Sequence, residues 1–369
     1  MSFGLRLTAA AASAGLLLAF ALAYAGRYVH PREAWVLQLA ALALPVLALG
    51  LVLSTFVWTV ALVQQPAGRL AQSLLALHVA AWLALLIRYP PQGKVASALA
   101  EAREPADLVV LSANVGEPVE GADSVLQELL ERYRPDVVAL QETTVVVVDT
   151  LRGASGAAMT MLFAPEYALA AEDGFAPSAS PEHFPQPVFA TLPARSEPLV
   201  NFNLDADEWR GGRYRRVELS VNGVPVALYN VHLRSFAPLR PWRGARRPWL
   251  RLETWRNALA AYREDFTARA DEAEQLAWRI EAETLPVLLV GDLNATADQW
   301  VYRRLARTGT DALAGQAGRS ATFPAARPLV RIDHVIAGPG WSVIAALRER
   351  RGLSDHRPLV AQLRLLSLP

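Results

Sequence analysis

Polar residues recur at the ends of apolar runs in this sequence. Asn114 closes LVVLSANV, Glu142 closes VVALQE and His232 closes ALYNVH. Asp292 and Asn294 follow PVLLV in GDLN, Asp333 and His334 interrupt RIDHVI, and Asp355-His356 precede RPLVAQL. Carboxylates and amides are hard oxygen donors, suited to Mg²⁺ or Mn²⁺ rather than zinc. An aspartate beside a histidine keeps the imidazole charged and oriented. Taken singly, each has an ordinary alternative. Asn114 and Asn294 suit turns, Glu142 a cap or surface position, His232 and His334 a hydrogen-bonded core, and Asp355 the turn after Ser354. The repetition gives the set its weight. The chain has no cysteine, which excludes disulfide scaffolds, iron–sulfur clusters and thiolate zinc sites.

The elements that must carry these residues read as a mixed-sheet α/β domain. Leu108 to Val115 is an apolar strand, Ser124 to Tyr133 has helical spacing, and Asp136 to Leu140 is a second strand, giving a strand–helix–strand unit with parallel strands. Arg215 to Val221 and Val224 to Leu233 flank Asn222-Gly223, a strong hairpin signal. Phe266, Ala270, Ala273, Ala277 and Ile280 mark a long helix, followed by strands at Val287 to Val290, Ile332 to Ile336 and Arg357 to Leu365. Residues 152 to 187, rich in Gly, Ala, Pro and Ser, read as loop. Side chains at the ends of such strands converge on one sheet edge, where α/β folds place their sites.

The motifs SANV, LQET, YNVHL, GDLNAT, RIDHV and SDHRPL, in that order, resemble the endonuclease/exonuclease/phosphatase superfamily, the deoxyribonuclease I-like hydrolases. The resemblance spans about residue 107 to the end. It implies a four-layer sandwich, two mixed β-sheets face to face with helices outside. It also implies that Glu142 is the main Mg²⁺ ligand, with Asn114 and Asp355 on the metal side. Asp292 would orient or deprotonate the attacking water, and Asn294 would hold the phosphate. Asp333 would fix His356 as a cation against that phosphate, and His232 would contact it or protonate the leaving oxygen. In-line attack, charge neutralisation on the equatorial oxygens and help for the leaving group are what phosphodiester hydrolysis requires.

Composition divides the chain in two. The whole is 53% hydrophobic and 19% charged, with a net charge of +1, too apolar for an ordinary soluble enzyme. The first hundred residues hold only Arg6, Arg27, Arg32, Glu33, Arg69, Arg88 and Lys94 as charged groups. Removing these six basic and one acidic residues from 36 and 35 leaves 30 and 34, a net charge of −4 for the remainder. Residues 1–90 are therefore expected to form a membrane anchor with three transmembrane helices at 7–25, 35–62 and 70–88, each long enough to cross about 30 Å of hydrocarbon. Tyr24, Tyr28, Trp35, Trp58 and Tyr89 mark the interfaces, and Pro45 is expected to kink the second helix without ending it. Ala23-Tyr24-Ala25 also fits a signal-peptide cleavage site, but two further apolar segments follow. Residues 91–106 read as a linker and 107–369 as the catalytic domain. The charges flanking the spans mildly favour a cytoplasmic domain. The basic residue before the first span makes it a signal anchor, which favours an extracytoplasmic one, the side expected here.

One stretch departs from the superfamily pattern. In FAPLRPWRGARRPWLRLETWR, Arg240, Arg243, Arg246, Arg247, Arg251 and Arg256 alternate with Trp242, Trp249 and Trp255. Such a segment can contact single-stranded nucleic acid, rest on anionic lipid, or be a solvated basic loop. Tethering to a bilayer favours lipid, and the acidity of the remaining domain weakens nucleic acid. The sequence thus points to a membrane-anchored, Mg²⁺-dependent phosphoric-ester hydrolase acting on a lipid headgroup or lipid-linked phosphate. A tethered nuclease and a non-catalytic phospholigand-binding membrane protein are the alternatives. Arg246→Glu with Arg247→Glu is expected to lower turnover on anionic liposomes and spare a soluble phosphodiester; equal loss on both would rule out the interfacial reading.

Overall fold

The computed structural model describes residues 3–64, 69–88, 106–116, 119–144, 159–162, 183–184, 186–202, 211–235, 251–314 and 320–366. The chain divides into two compact units, Met1–Gln92 with Asp298–Arg303, and Gly93–Ala297 with Arg304–Pro369. Most of the arginine–tryptophan stretch, including Trp242, Arg243, Arg246, Arg247 and Trp249, lies outside the described residues.

The first unit is helical: α1 (Phe3–Ala25), α2 (Pro31–Ala34), α3 (Val36–Leu42), α4 (Leu44–Gln64) and α5 (Arg69–Arg88). Three stretches, Leu7–Ala25, Leu44–Gln64 and Arg69–Ile87, are long and apolar enough to cross a membrane. The expected second span is interrupted at Ala43, which caps α3 and separates it from α4. Pro45 explains the break: it supplies no N–H to the preceding turn and its ring crowds the carbonyl four residues back. Phe20, Ala23, Leu44, Leu51, Ala81 and Leu85 pack between the long helices. Ser13, Ser54 and His78 form a buried polar knot there: His78 Nε2 lies 2.9 Å from Ser54 Oγ, and Trp58 Nε1 donates to Ser13 Oγ at 2.9 Å. In an apolar surround such groups must satisfy one another, and this couples the helices.

The second unit contains two mixed sheets. Its elements are β1 (Leu108–Asn114), α6 (Ala122–Tyr133), β2 (Val137–Gln141), β3 (Thr143–Thr144), β4 (Thr160–Leu162), β5 (His183–Phe184), β6 (Val188–Ala190), β7 (Ala194–Asn201), β8 (Arg213–Val221), β9 (Val224–His232), α7 (Leu252–Glu281), β10 (Val287–Asp292), α8 (Trp300–Leu305), β11 (Thr310–Asp311), β12 (Asp333–Ala337), β13 (Trp341–Arg348) and β14 (Leu359–Leu365). One sheet has the order β13-β14-β1-β2-β6-β4, the other β11-β12-β10-β9-β8-β7. Each has one central parallel pair, β1 with β2 and β9 with β10. α6 and α7 are the crossover helices that parallel neighbours require. The β8–β9 hairpin turns at Asn222-Gly223, whose φ values of 51° and 82° are those of the turn that matches strand twist.

Alternation along the strands builds the sandwich. Leu108, Val110, Val137 and Ala139 of one sheet face Val217, Leu228, Leu288, Val290 and Val335 of the other across a dry core. The opposite face of the first sheet, with Leu111, Ala113 and Val138, packs on Val125, Leu126 and Leu129 of α6. Polar contacts also cross the core. Gln141 Nε2 donates to Asn230 Oδ1 at 2.7 Å, and Asn230 Nδ2 donates to Leu140 O at 2.8 Å. Both residues are fully buried. Asn230→Leu, which removes one partner and strands the other, should lower the unfolding free energy of the full chain by about 2 kcal/mol. Chemical denaturation in detergent would measure this, and an unchanged midpoint would show that the pair does not hold the sheets.

Candidate active site

Asn114 and Gln141 end the parallel strands of one sheet, and His232 and Asp292 those of the other. Asp333 starts β12 opposite Asp292. Glu142 and Asn294 lie just beyond the strand ends, both at positive φ, 52° and 47°. Asparagine tolerates that region, but glutamate is rare there, and such strain costs about 1–3 kcal/mol. Two glycines make room. A Cβ on Gly116 would collide with Glu142 Oε2, and one on Gly291 would collide with the Val231 carbonyl, at a φ of 129°.

Asp292 Oδ2 is the centre of the arrangement. Asn114 Nδ2 donates to it at 3.1 Å and to Glu142 Oε1 at 3.0 Å. His232 Nε2 lies 3.0 Å from Glu142 Oε1 and 3.9 Å from Asp292 Oδ2. From the other side, His356 Nε2 lies 3.9 Å from Asp292 Oδ2, while its Nδ1 is 2.9 Å from Asp333 Oδ2. The Asn294 backbone N–H donates to Asp292 Oδ1 at 2.7 Å, and its side chain donates to Leu233 O at 2.9 Å, beside His232. Asp355 stands at the rim, 3.9 Å from His356 Nε2 and 44% exposed. Glu142 is 36% exposed, whereas Asp292 is 1%, so a ligand enters from the side of Glu142 and Asp355.

Two groups of three could each hold a cation: Glu142 with His232 and Asp292, and Asp292 with Asp333 and His356. The first suits a small, hard ion, since carboxylate oxygens dominate and Gly116 leaves the Glu142 carboxylate room. Asn114 turns its amide nitrogen to the carboxylates, while its Oδ1 accepts from Gly116 N at 3.1 Å. Asn114, Glu142, His232, Asp292, Asn294, Asp333, Asp355 and His356 thus lie together, the expected contacts Trp242, Arg243, Arg246, Arg247 and Trp249 lie outside the described residues, and His334, read from the sequence as a core histidine, is fully buried with Nε2 2.9 Å from Ala295 O. Sequence reasoning missed three supports. Ser354 Oγ donates to Asn114 O at 2.6 Å and accepts from His356 N at 3.0 Å. The Phe323 ring lies 5.0 Å from that of His356. Arg269 Nε, on α7, donates to Arg234 O at 2.5 Å, just past the end of β9. Ser354 had a signal in its place beside Asp355-His356; Phe323 and Arg269 had none.

The profile of the endonuclease/exonuclease/phosphatase family matches residues 111–356, well over half of the chain. The chain belongs to that family. Its members hydrolyse phosphoric esters with the help of divalent metal ions. None of the curated proteins matches the chain significantly. Among solved structures, a family member from Bacteroides vulgatus is 16% identical, with 70% of this chain and 98% of that one covered and a TM-score of 0.48. The human Nocturnin catalytic domain with bound sulfate is 17% identical, covering 71% and 94%, with a TM-score of 0.47. Sphingomyelinase C from Streptomyces griseocarneus is 21% identical, covering 70% and 99%, with a TM-score of 0.45.

The electrostatics separate the acids. For Glu142, burial acts upward, but the His232 and His356 charges and the Asn114 hydrogen bond prevail and take it down to about 2. Asp292 moves up instead, because burial and the Asp333 charge outweigh the two imidazoles. Burial opposes the charged form of His356, yet Asp333, then Asp292 and Asp355, raise it to about 10. Burial likewise opposes charge on His232, and Glu142 and Asp292 again raise it. A histidine whose folded pKa exceeds its ordinary 6.5 adds stability fully below that value, and the gain is lost as pH rises through about 10. Asp333→Asn should therefore flatten the fall in melting temperature of the chelator-treated protein between those two pH values. Parallel profiles for variant and parent would show that the pair does not hold the proton.

Proposed function

We propose that this chain is a membrane-anchored, Mg²⁺- or Mn²⁺-dependent phosphoric-ester hydrolase whose substrate is a lipid headgroup or lipid-linked phosphate. The observation that carries it is the convergence of Glu142, His232, Asp292 and the Asp333–His356 pair at the shared edge of two parallel strand pairs. Glu142 would hold the cation, with Asp355 on the same open side and Asn114 orienting the Glu142 carboxylate through Nδ2, and the ion would neutralise charge on the phosphoryl oxygens. Asp292, its proton affinity raised by burial and Asp333, takes the proton of the attacking water. The water oxygen forms a bond to phosphorus as the ester oxygen leaves on the opposite side. His232 returns a proton to that leaving oxygen. Asn294 and the His356 imidazolium contact the phosphate, and Asp333 keeps His356 charged.

Support for the membrane comes from three apolar helices of spanning length. Arg6 before the first span supports an extracytoplasmic catalytic domain. Lipid is favoured over nucleic acid by the net charge of −4 left after the first hundred residues, from 30 basic against 34 acidic. Glu142→Ala and Asp292→Asn should each lower kcat by about 10³-fold and leave the melting temperature of the detergent-solubilised protein near that of the parent. DNA, inositol phosphates, sphingomyelin and polyprenyl pyrophosphate, each with Mg²⁺ and with chelator, identify the substrate. Nucleotide release would establish the nuclease instead, and binding without turnover on any of them a phospholigand receptor.

A further inference from the structure

α7 runs unbroken from Leu252 to Glu281, but only its second half is covered by the sheet. Its course is fixed at two points. Glu283, just past its end, bonds Arg216 and Tyr229 in the middle of the β8–β9 hairpin. Asp265 bonds Arg234 Nε at 2.7 Å, two residues past the catalytic end of β9. The helix therefore runs antiparallel to β9, and its first 13 residues extend about 20 Å beyond the strand ends, on the edge that bears the site.

At 100° per residue, Leu252, Trp255, Leu259, Arg263 and Arg256 share an arc of about 100°. Phe266, Ala270 and Ala273 continue the same stripe and are 2%, 0% and 0% exposed. Leu252, Trp255 and Leu259 are 76%, 40% and 40% exposed. The face that packs on the domain thus continues past the strand ends with Leu252, Trp255 and Leu259 partly to largely exposed, while Ala258 beside them is buried. Arg256 and Arg263 flank it and are exposed. Glu253 falls to the side of this arc, and Glu264 is engaged by Arg234 at 2.9 Å, so the stripe presents positive charge.

We propose that the overhanging first three turns of α7 are a docking surface for an anionic bilayer, which seats the catalytic edge on the membrane. This rests on the membrane-anchored reading above and names the surface that would deliver a lipid substrate. Tryptophan and leucine with flanking arginine is the combination that partitions into an anionic interface.

The absence of cysteine makes the test direct, because a single introduced thiol is unique. Leu259→Cys carries an environment-sensitive fluorophore in the full chain, reconstituted in phosphatidylcholine vesicles with or without phosphatidylglycerol. Thr284→Cys, exposed just beyond the far end of α7, is the reference. The expected result is a blue shift and quenching by nitroxide-bearing lipid at position 259, stronger with phosphatidylglycerol and absent at 284. Arg256→Glu with Arg263→Glu should reduce the docked fraction by about fivefold per arginine. Emission at 259 that is the same in detergent and vesicles and unquenched overturns the proposal, as does a shift that follows protein concentration and marks a second copy as the occupant. Vesicle flotation and hydrolysis of a soluble phosphodiester are read in parallel. Loss of quenching with both intact removes the docking surface alone, whereas failure to float removes the anchored reading and the proposal with it.

Discussion

The site is shared between two sheets, so everything at it depends on how those sheets are registered. Glu142 hangs from one sheet, and His232 and Asp292 from the other. Apolar packing alone tolerates small slips, because it is non-directional. The hydrogen bonds from Gln141 Nε2 to Asn230 Oδ1 and from Asn230 Nδ2 to Leu140 O are directional, and inside the buried core losing either leaves a polar group unsatisfied. Gln141 is the neighbour of Glu142, and Asn230 stands two residues before His232 on the same strand. The register that the amides fix is thus handed directly to the 3.0 Å contact between Glu142 and His232.

Asn114 repeats the device one layer higher. Its amide reaches Glu142 and Asp292 together, at 3.0 and 3.1 Å, and its own carbonyl is held by Ser354, from the loop that also carries His356. Strain is spent at the same level. Glu142 and Asn294 both adopt left-handed backbone, which turns their side chains back toward the strand ends instead of onward along the chain. Such conformations persist only where the surroundings over-determine them, and the buried hydrogen bonds of Asn114, Asp292 and Asn294 supply that determination.

The catalytic edge was legible in the sequence because an apolar run that stops at a carboxylate, amide or imidazole marks both a strand and its end. Asn114, Glu142, His232, Asp292 and Asp333 could be placed this way. Asn230 and Gln141 could not, because a polar residue inside an apolar run carries no sign of which partner across the core will satisfy it. The helix read from Phe266 to Ile280 begins at Leu252. Its first turns bury only the small Ala258, too little apolar periodicity to mark a helix, and Trp255 with Arg256 and Arg263 reads as a continuation of the basic loop before it. The break at Ala43 was hidden by apolarity: composition alone shows one long span around Pro45, while the backbone ends one helix and starts another. The sheet-edge strand β13 left little signal for a related reason, since half of its residues are only partly buried.

Charge balance explains why these groups tolerate one another. Both imidazoles have raised proton affinity, so His232 and His356, when protonated, contribute two positive charges. Glu142, Asp292, Asp333 and Asp355 offer four negative charges when ionised, which leaves −2. The strain of that excess falls on Asp292, the most buried of the four, whose proton affinity is raised by burial and by the Asp333 charge. A divalent cation at Glu142 removes the excess in one step, and a proton on Asp292 removes half of it. The two compete for the same electrostatic deficit. Binding of an ion would therefore oppose protonation of Asp292, so the group proposed to accept a proton from water would be kept ionised by the same charge that would draw the phosphate in.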